Sequence, residues 1–235
     1  MSSTSSLKKA SSKRISTRSA ATRAKIISVA ERLFAEKGID GVTLNEIGKA
    51  AGQRNAAVCQ YHFGDKEMLL QAVMDKHVPG IAARRHTMLD QLEHSENLQL
   101  SEVVRAFIYP VAEKLLDKDG GEDFIRINAQ LVALHTASAQ NMGPMPLNLP
   151  RPDRLSKALH DAMAPLGLPE AILKQRTMLA AVLLFHGLSD HTKMRKSVNT
   201  SEQVVNTELF LRTLEDGILA LLSAPVSSSN QPASE

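Results

Sequence analysis

Between Gly52 and Tyr61 the chain reads Gln53, Arg54, Asn55, Ala56, Ala57, Val58, Cys59, Gln60. Gln53, Arg54, Asn55 and Gln60 carry amide or guanidinium heads that can make paired hydrogen bonds to base edges: arginine with guanine, asparagine and glutamine with adenine. Ala56 and Ala57 are small enough to let a backbone come close to a large partner, and an alanine methyl can meet a thymine methyl. Val58 and Tyr61 are expected to face inward. A helix with one flat, polar side suits a broad polar partner. An ordinary helical hairpin with a solvated side has the same pattern, so this stretch alone leaves both readings open.

Positioning such a helix needs a rigid element before it. Thr43, with Glu46 three residues on, forms a capping box in which each side chain satisfies the other end's free backbone N–H. Leu44, Ile47 and Ala51 then form the inner stripe of a short helix that Gly52 ends. A third helix is expected from about Asn55 to Phe63, closed by Gly64. Two short helices joined by a tight glycine-containing turn make a helix-turn-helix, whose second helix lies in the DNA major groove with its N-terminal residues at the bases. Before this pair, Ile26, Ile27, Ala30, Leu33 and Phe34 recur at helical spacing and Gly38 stops the run. After it, Asp65 caps a helix carrying Met68, Leu69, Ala72 and Val73, which Pro79 is expected to kink or end.

The remainder also reads as helical: residues 101–116 with a kink at Pro110, residues 122–139, about 153–164, and two long segments beginning near Pro169 and Ser201. Residues 141–152 hold four prolines and are expected to be a loop. No alternating strand pattern longer than four residues is present. The fold class expected is all-α, with a helix-turn-helix domain and a helical C-terminal domain. The expected divisions are a disordered basic arm (1–18), the helix-turn-helix domain (19–65), a ligand-binding and dimerisation domain (66–224) and a disordered tail (225–235).

Composition narrows the function classes. Aromatic residues make up 3% of the chain and tryptophan is absent, which suits a helical core of aliphatic residues. A single cysteine excludes an internal disulfide framework and fits a reducing, cytoplasmic compartment. With no apolar run of about 18 residues read from the sequence, no membrane span is expected. Gly-rich phosphate loops, Gly-x-Ser-x-Gly elbows and Cys-x-x-Cys pairs are missing, so neither enzyme nor cofactor is expected. His186 and His191 are five apart, a poor fit to a metal pair on one helix face, and no metal is expected. Cys59 reads as a small buried hydrophobe before it reads as a redox switch.

Charge is unevenly placed. Residues 1–25 carry Lys8, Lys9, Lys13, Arg14, Arg18, Arg23 and Lys25 with no acid, a charge of +7 that leaves −4 on the rest. A basic arm on a mildly acidic body points to a polyanion at that end. A solubilising tail or an organelle transit peptide would share the composition.

In the C-terminal half, polar residues stand within apolar helices. Tyr109, Phe124, Asn128, His135 and His186 are candidate ligand contacts, since a pocket needs apolar walls and a few polar anchors. Core or interhelix roles would explain them equally. The last two helices carry broad apolar stripes: Ile172, Leu179, Val182, Leu183 and Leu184, then Val205, Leu209, Leu211, Leu214, Ile218 and Leu221. That is more than one side of a helix needs within a monomer.

"GVTLNEIGKAAG" followed by "YHFGDKEMLL" resembles the N-terminal domain of the TetR family of transcriptional regulators over about residues 22 to 78. The resemblance implies an all-helical homodimer that binds double-stranded DNA at a near-palindromic operator. It implies a repressor released by a small-molecule effector held in the C-terminal domain; a ligand-dependent activator or a helical adaptor are the alternatives. It implies that the last two helices pair with their copies. By the same resemblance, Thr43 opens the second helix near a phosphate, Tyr61 and His62 touch the DNA backbone, and Lys66 opens the fourth helix at another phosphate. The chain departs from the family pattern in having one more residue between Gly52 and Tyr61, and in Gln60 where many members have tyrosine. Which of Gln53, Arg54 and Asn55 reaches a base therefore stays open.

Overall fold

The computed structural model describes residues 3–55, 57–92, 98–137, 153–197 and 206–226, with backbone alone for 3–16, 18, 135–137 and 153. Its helices are α1 (Ser3–Lys37), α2 (Leu44–Ala50), α3 (Val58–Phe63), α4 (Lys66–Leu92), α5 (Leu100–Ala112), α6 (Gly121–Ala137), α7 (Asp153–Met163), α8 (Glu170–Ser197) and α9 (Thr207–Ser223). Short 3-10 turns follow α5 (Glu113–Leu116) and α7 (Ala164–Leu166). Strands are absent among the described residues, as an aliphatic composition with helical periodicity requires. The expected loop at 141–152 and the tail beyond Val226 lie outside the described residues, as does Val205.

Two compact units divide the chain, one reaching Lys76 and the other starting at His77. The division falls inside α4 rather than at its start. The cause is that Leu69, Leu70, Ala72, Val73 and Met74, in the first turns of α4, are buried in the core of the N-terminal unit. Ile26, Ala30, Leu33 and Phe34 of α1, Ile47 of α2 and Ala51 just after it also belong to that core. Met68, expected on the inner stripe, is instead 56% exposed. A salt bridge of 2.8 Å joins buried Glu31 to Lys76 within the same unit.

Three further differences from the sequence reading have local causes. First, α1 begins at Ser3 rather than near Thr22, because no glycine or proline interrupts residues 1–37. Second, α4 runs through Pro79 to Leu92. A proline removes one backbone donor, and Pro79 is exposed, so its ring meets no core residue. Third, α8 is long and apolar enough to cross a membrane by length and composition, with a mean hydropathy of 1.2 over its most apolar window. The run from Met178 to Leu188 accounts for this, and its Ala180, Leu184 and Leu188 are buried in the C-terminal unit.

In that unit α8 packs on α6 and α9, and α5 packs on α7 and α9. α9 runs beside Gly187, where a methyl would meet Leu214 at 3.5 Å and Phe210 at 3.6 Å, ordinary contact distances. Polar ties cross the same interfaces. Arg176 donates to the Leu222 carbonyl (3.0 Å) at the end of α9. His191 stacks on Phe210 at 4.2 Å, with Nε2 3.0 Å from the Thr207 hydroxyl.

Candidate nucleic-acid interface

The interface is built from its caps inward. Thr43 N–H donates to Glu46 (2.8 Å) and Glu46 N–H donates to the Thr43 hydroxyl (3.2 Å), closing the expected capping box. The Thr43 N–H, then the Thr43 hydroxyl, hold the Glu46 carboxyl below its usual range. At the other end of α2, Gly52 takes φ 72°, a left-handed conformation that a side chain would strain. The turn it makes lets Gln53 N–H reach the Gly48 carbonyl at 3.0 Å. Asn55 then braces the turn before the next helix. Its side-chain oxygen accepts from Ala57 N–H (2.9 Å) and its carbonyl accepts from Val58 N–H (3.2 Å).

α3 is anchored by Cys59, fully buried, and Phe63, 7% exposed. These two are four apart, one helical turn. The Arg23 guanidinium of α1 lies 4.6 Å over the Phe63 ring, a cation–π contact that ties the end of α3 to α1. Burial pushes the Cys59 thiol up and keeps it protonated, so it behaves as the small hydrophobe expected.

The opposite side of the turn and helix presents Arg54, Asn55, Ala57, Gln60 and Tyr61, all exposed. Tyr61 is 84% exposed, with its ring edge-on to half-buried His62 at 5.1 Å. The expectation that Tyr61 faces inward fails: α3 starts at Val58 rather than Asn55, and its inner side is set by Cys59 and Phe63. Outward placement is the one a contact with a partner requires. Gln53 is half-buried and its amide donates to the Ala51 carbonyl at 3.3 Å, which draws it back from the exposed face. Thr43 is exposed at the start of α2. Lys66 donates to the Ile39 carbonyl (3.1 Å) and lies 3.8 Å from Asp40, tying the start of α4 to the α1–α2 corner. Ala56 lies outside the described residues.

Two exposed cations of α1, Arg23 and Lys25, stand near the end of α3 and the α2–α3 turn, although sequence reasoning does not single them out. Lys25 Nζ lies 3.5 Å from where a methyl on Gly52 would be, beside the α2–α3 turn. Both residues stand in the basic count of the first 25 residues, beyond the expected arm of 1–18; a charge count alone does not say what they face.

Of the residues expected to line a ligand pocket, Tyr109 and Asn128 are engaged in hydrogen bonds within the fold. The Tyr109 hydroxyl donates to one Glu215 oxygen (3.0 Å) while Arg105 donates to the other (2.7 Å), a tie between α5 and α9. Burial, then the Glu215 carboxylate, raises the Tyr109 phenol. Phe124 is buried with its ring 4.8 Å from His77. Asn128 donates back to the Phe124 carbonyl of its own helix (2.8 Å). His186 is half-buried, three residues from Leu183 on the same side of α8. The His135 side chain lies outside the described residues. Clefts do occur in this unit. One of about 480 Å³ is lined by residues of the α5–α6 connection with Arg195 and Lys196; another, of about 520 Å³, lies between Leu166–Pro169 and Ser223–Val226. Neither is lined by the expected ligand residues.

Residues 26–73 match the profile of the bacterial regulatory proteins of the tetR family. The chain is 43% identical over 54 residues to the HTH-type transcriptional regulator TtgR of Pseudomonas putida. That stretch is 23% of this chain and 25% of TtgR, so the likeness spans a quarter of the relative's length. Among solved structures, a TetR-family regulator from Rhodococcus sp. is similar at 17% identity and a TM-score of 0.46, over 86% of this chain and 99% of that one. One from Mesorhizobium loti is similar at 20% identity and a TM-score of 0.42, over 88% and 97%.

Proposed function

We propose that this chain, a member of the TetR family by its N-terminal domain, is a sequence-specific DNA-binding regulator of transcription working as a homodimer in the cytoplasm. The observation that carries the reading is the exposed row Arg54, Asn55, Ala57, Gln60 and Tyr61 on a turn and helix fixed from behind by Cys59 and Phe63. Each of those side chains has a use at a base edge or a phosphate, and no core role occupies them. Small Ala57 leaves room for a groove wall.

The finer reading is a repressor that a small, mostly apolar molecule releases from a near-palindromic operator. Two-fold symmetry in the protein and in the site go together. What supports a dimer is the α8 face on which Leu179 is 51% and Leu183 39% exposed, with Leu209 of α9 62% exposed. Release by a ligand is a shift between two populations, so the ligand must bind the DNA-incompetent state more tightly. The test is fluorescence anisotropy with an operator duplex, with and without candidate apolar ligands. The reading expects operator affinity well above that for a random duplex, and a fall in that affinity at saturating effector. Equal affinity for both duplexes would defeat it.

A further inference from the structure

α1 starts at Ser3, yet the first buried residue among its described side chains is Ile26. Thr17, Ser19, Ala20 and Ala21 are exposed. Residues 3–21 are thus a helical segment that precedes the first described buried residue of α1, about 28 Å long at ~1.5 Å per residue. Along it the sequence places Lys8, Lys9, Lys13, Arg14 and Arg18, and the first acid of the chain is Glu31.

Where this helix leaves the core matters as much as its charge. Arg23 lies over Phe63 at the end of α3, and Lys25 stands beside the α2–α3 turn. Lys25 therefore places the base of the extension beside the turn that carries exposed Arg54 and Asn55. A duplex seated on that turn and α3 would have Lys25 close by.

We propose that residues 3–21 are a second DNA-contact element, which binds backbone phosphates flanking the half-site read by α3 and does not read sequence. This rests on the DNA-binding reading above. A duplex carries one negative charge per ~1.7 Å of its axis, so a helix of this length passes ample phosphates for five cations. Lysine- and arginine-to-phosphate contacts of this kind position a protein and add salt-dependent affinity without sequence information.

The test uses the full chain and a variant of equal length carrying Lys8→Gln, Lys9→Gln, Lys13→Gln, Arg14→Gln and Arg18→Gln. Affinity is measured from about 50 to about 300 mM salt, a range over which phosphate contacts dominate the change. Two probes are used: an operator recovered by selection from random duplexes, and a random duplex of matched length. Each lost phosphate contact flattens the log–log salt slope by about 0.9, so the variant should be shallower by about 2 to 4 per protomer on both probes. The ratio of operator to random affinity should hold within about threefold, because only sequence-independent contacts are removed. A second variant, Lys174→Gln with Lys193→Gln, removes two exposed cations of α8 and should leave the slope unchanged, excluding an effect of net charge alone. An unchanged slope in the five-residue variant overturns the proposal while leaving the operator reading intact. A flattened slope with lost discrimination overturns it too, since the extension would then read sequence. Failure of the full chain to prefer any duplex overturns the DNA reading itself, and this proposal with it.

Discussion

Arg54 and Gln60 are the side chains on which base discrimination should turn. Both are exposed, and neither supports the core. Arg54→Ala and Gln60→Ala should each cost about 1–3 kcal/mol of operator affinity and relax the preference at one base pair, with the melting temperature unchanged. Anisotropy titrations against single-base operator variants measure this. Gln53 should matter less, because its amide is already turned to the Ala51 carbonyl. Cys59 belongs to the opposite face. With the thiol buried and held protonated, operator binding should survive mild peroxide, whereas Cys59→Ser, by burying a hydroxyl among apolar neighbours, should lower stability by about 1–3 kcal/mol. Peroxide-treated and untreated protein compared by the same titration, and urea unfolding of the variant, decide both points. At this scale the residue types are legible in the sequence and their directions are not. The exposed hydrogen-bonding heads can be picked out by chemistry, but whether Tyr61 points in or out depends on where α3 begins. No side-chain cap marks that start. Cys59 and Phe63 at i and i+4 are the better signal for the buried side.

Among the elements, the two capped and packed junctions respond to pH in ways their local chemistry fixes. Glu46 is held below its usual range by Thr43, so its contribution to the start of α2 is present above the unfolded carboxyl value and fades as pH falls through the lowered one. Thr43→Ala should remove that contribution together with the cap, seen as faster amide exchange in the first turn of α2. His191 behaves in the opposite chemical sense but with the same direction in pH. Burial, then Arg195, keeps it below 6.5, its ordinary value. The unfolded chain therefore binds the proton first, and stability falls as pH drops from about 6.5 towards the folded value. Facing His191 are the Phe210 ring and the Thr207 hydroxyl of α9. In His191→Gln, the fall in urea midpoint from about pH 7.5 to about pH 5, a window spanning the unfolded histidine value, should be smaller than in the parent. Most helices are readable from periodicity and caps: Asp65 caps α4 through Met68 N–H at 2.7 Å, as its position suggests. Pro79 misleads because one proline on an exposed face costs a helix a donor without ending it. The start of α1 misleads because a Ser- and Lys-rich stretch carries the composition of a disordered tail even where nothing in it breaks a helix.

On the scale of the molecule, the N-terminal unit declares its use and the C-terminal unit does not. A helix-turn-helix repeats a few residues at fixed spacing, so it survives in sequence. A ligand pocket is assembled from scattered positions, and here Tyr109 and Asn128 are engaged in ties within the fold. The apolar side of α8 and α9 is the C-terminal feature with a direct consequence. Leu179→Glu with Leu209→Glu should convert a dimer to a folded monomer by sedimentation and weaken operator binding, since one half-site alone remains engaged. The claim on which the rest depends is that the exposed row of α3 reads DNA sequence. It is tested most directly by repeated selection of the full chain on random duplexes at physiological salt, followed by footprinting of the enriched sequence. One near-palindromic motif is expected, with half-sites about 10 base pairs or a multiple apart and both protected. Enrichment of no motif over successive rounds, with the chain binding every duplex alike or none, would contradict it.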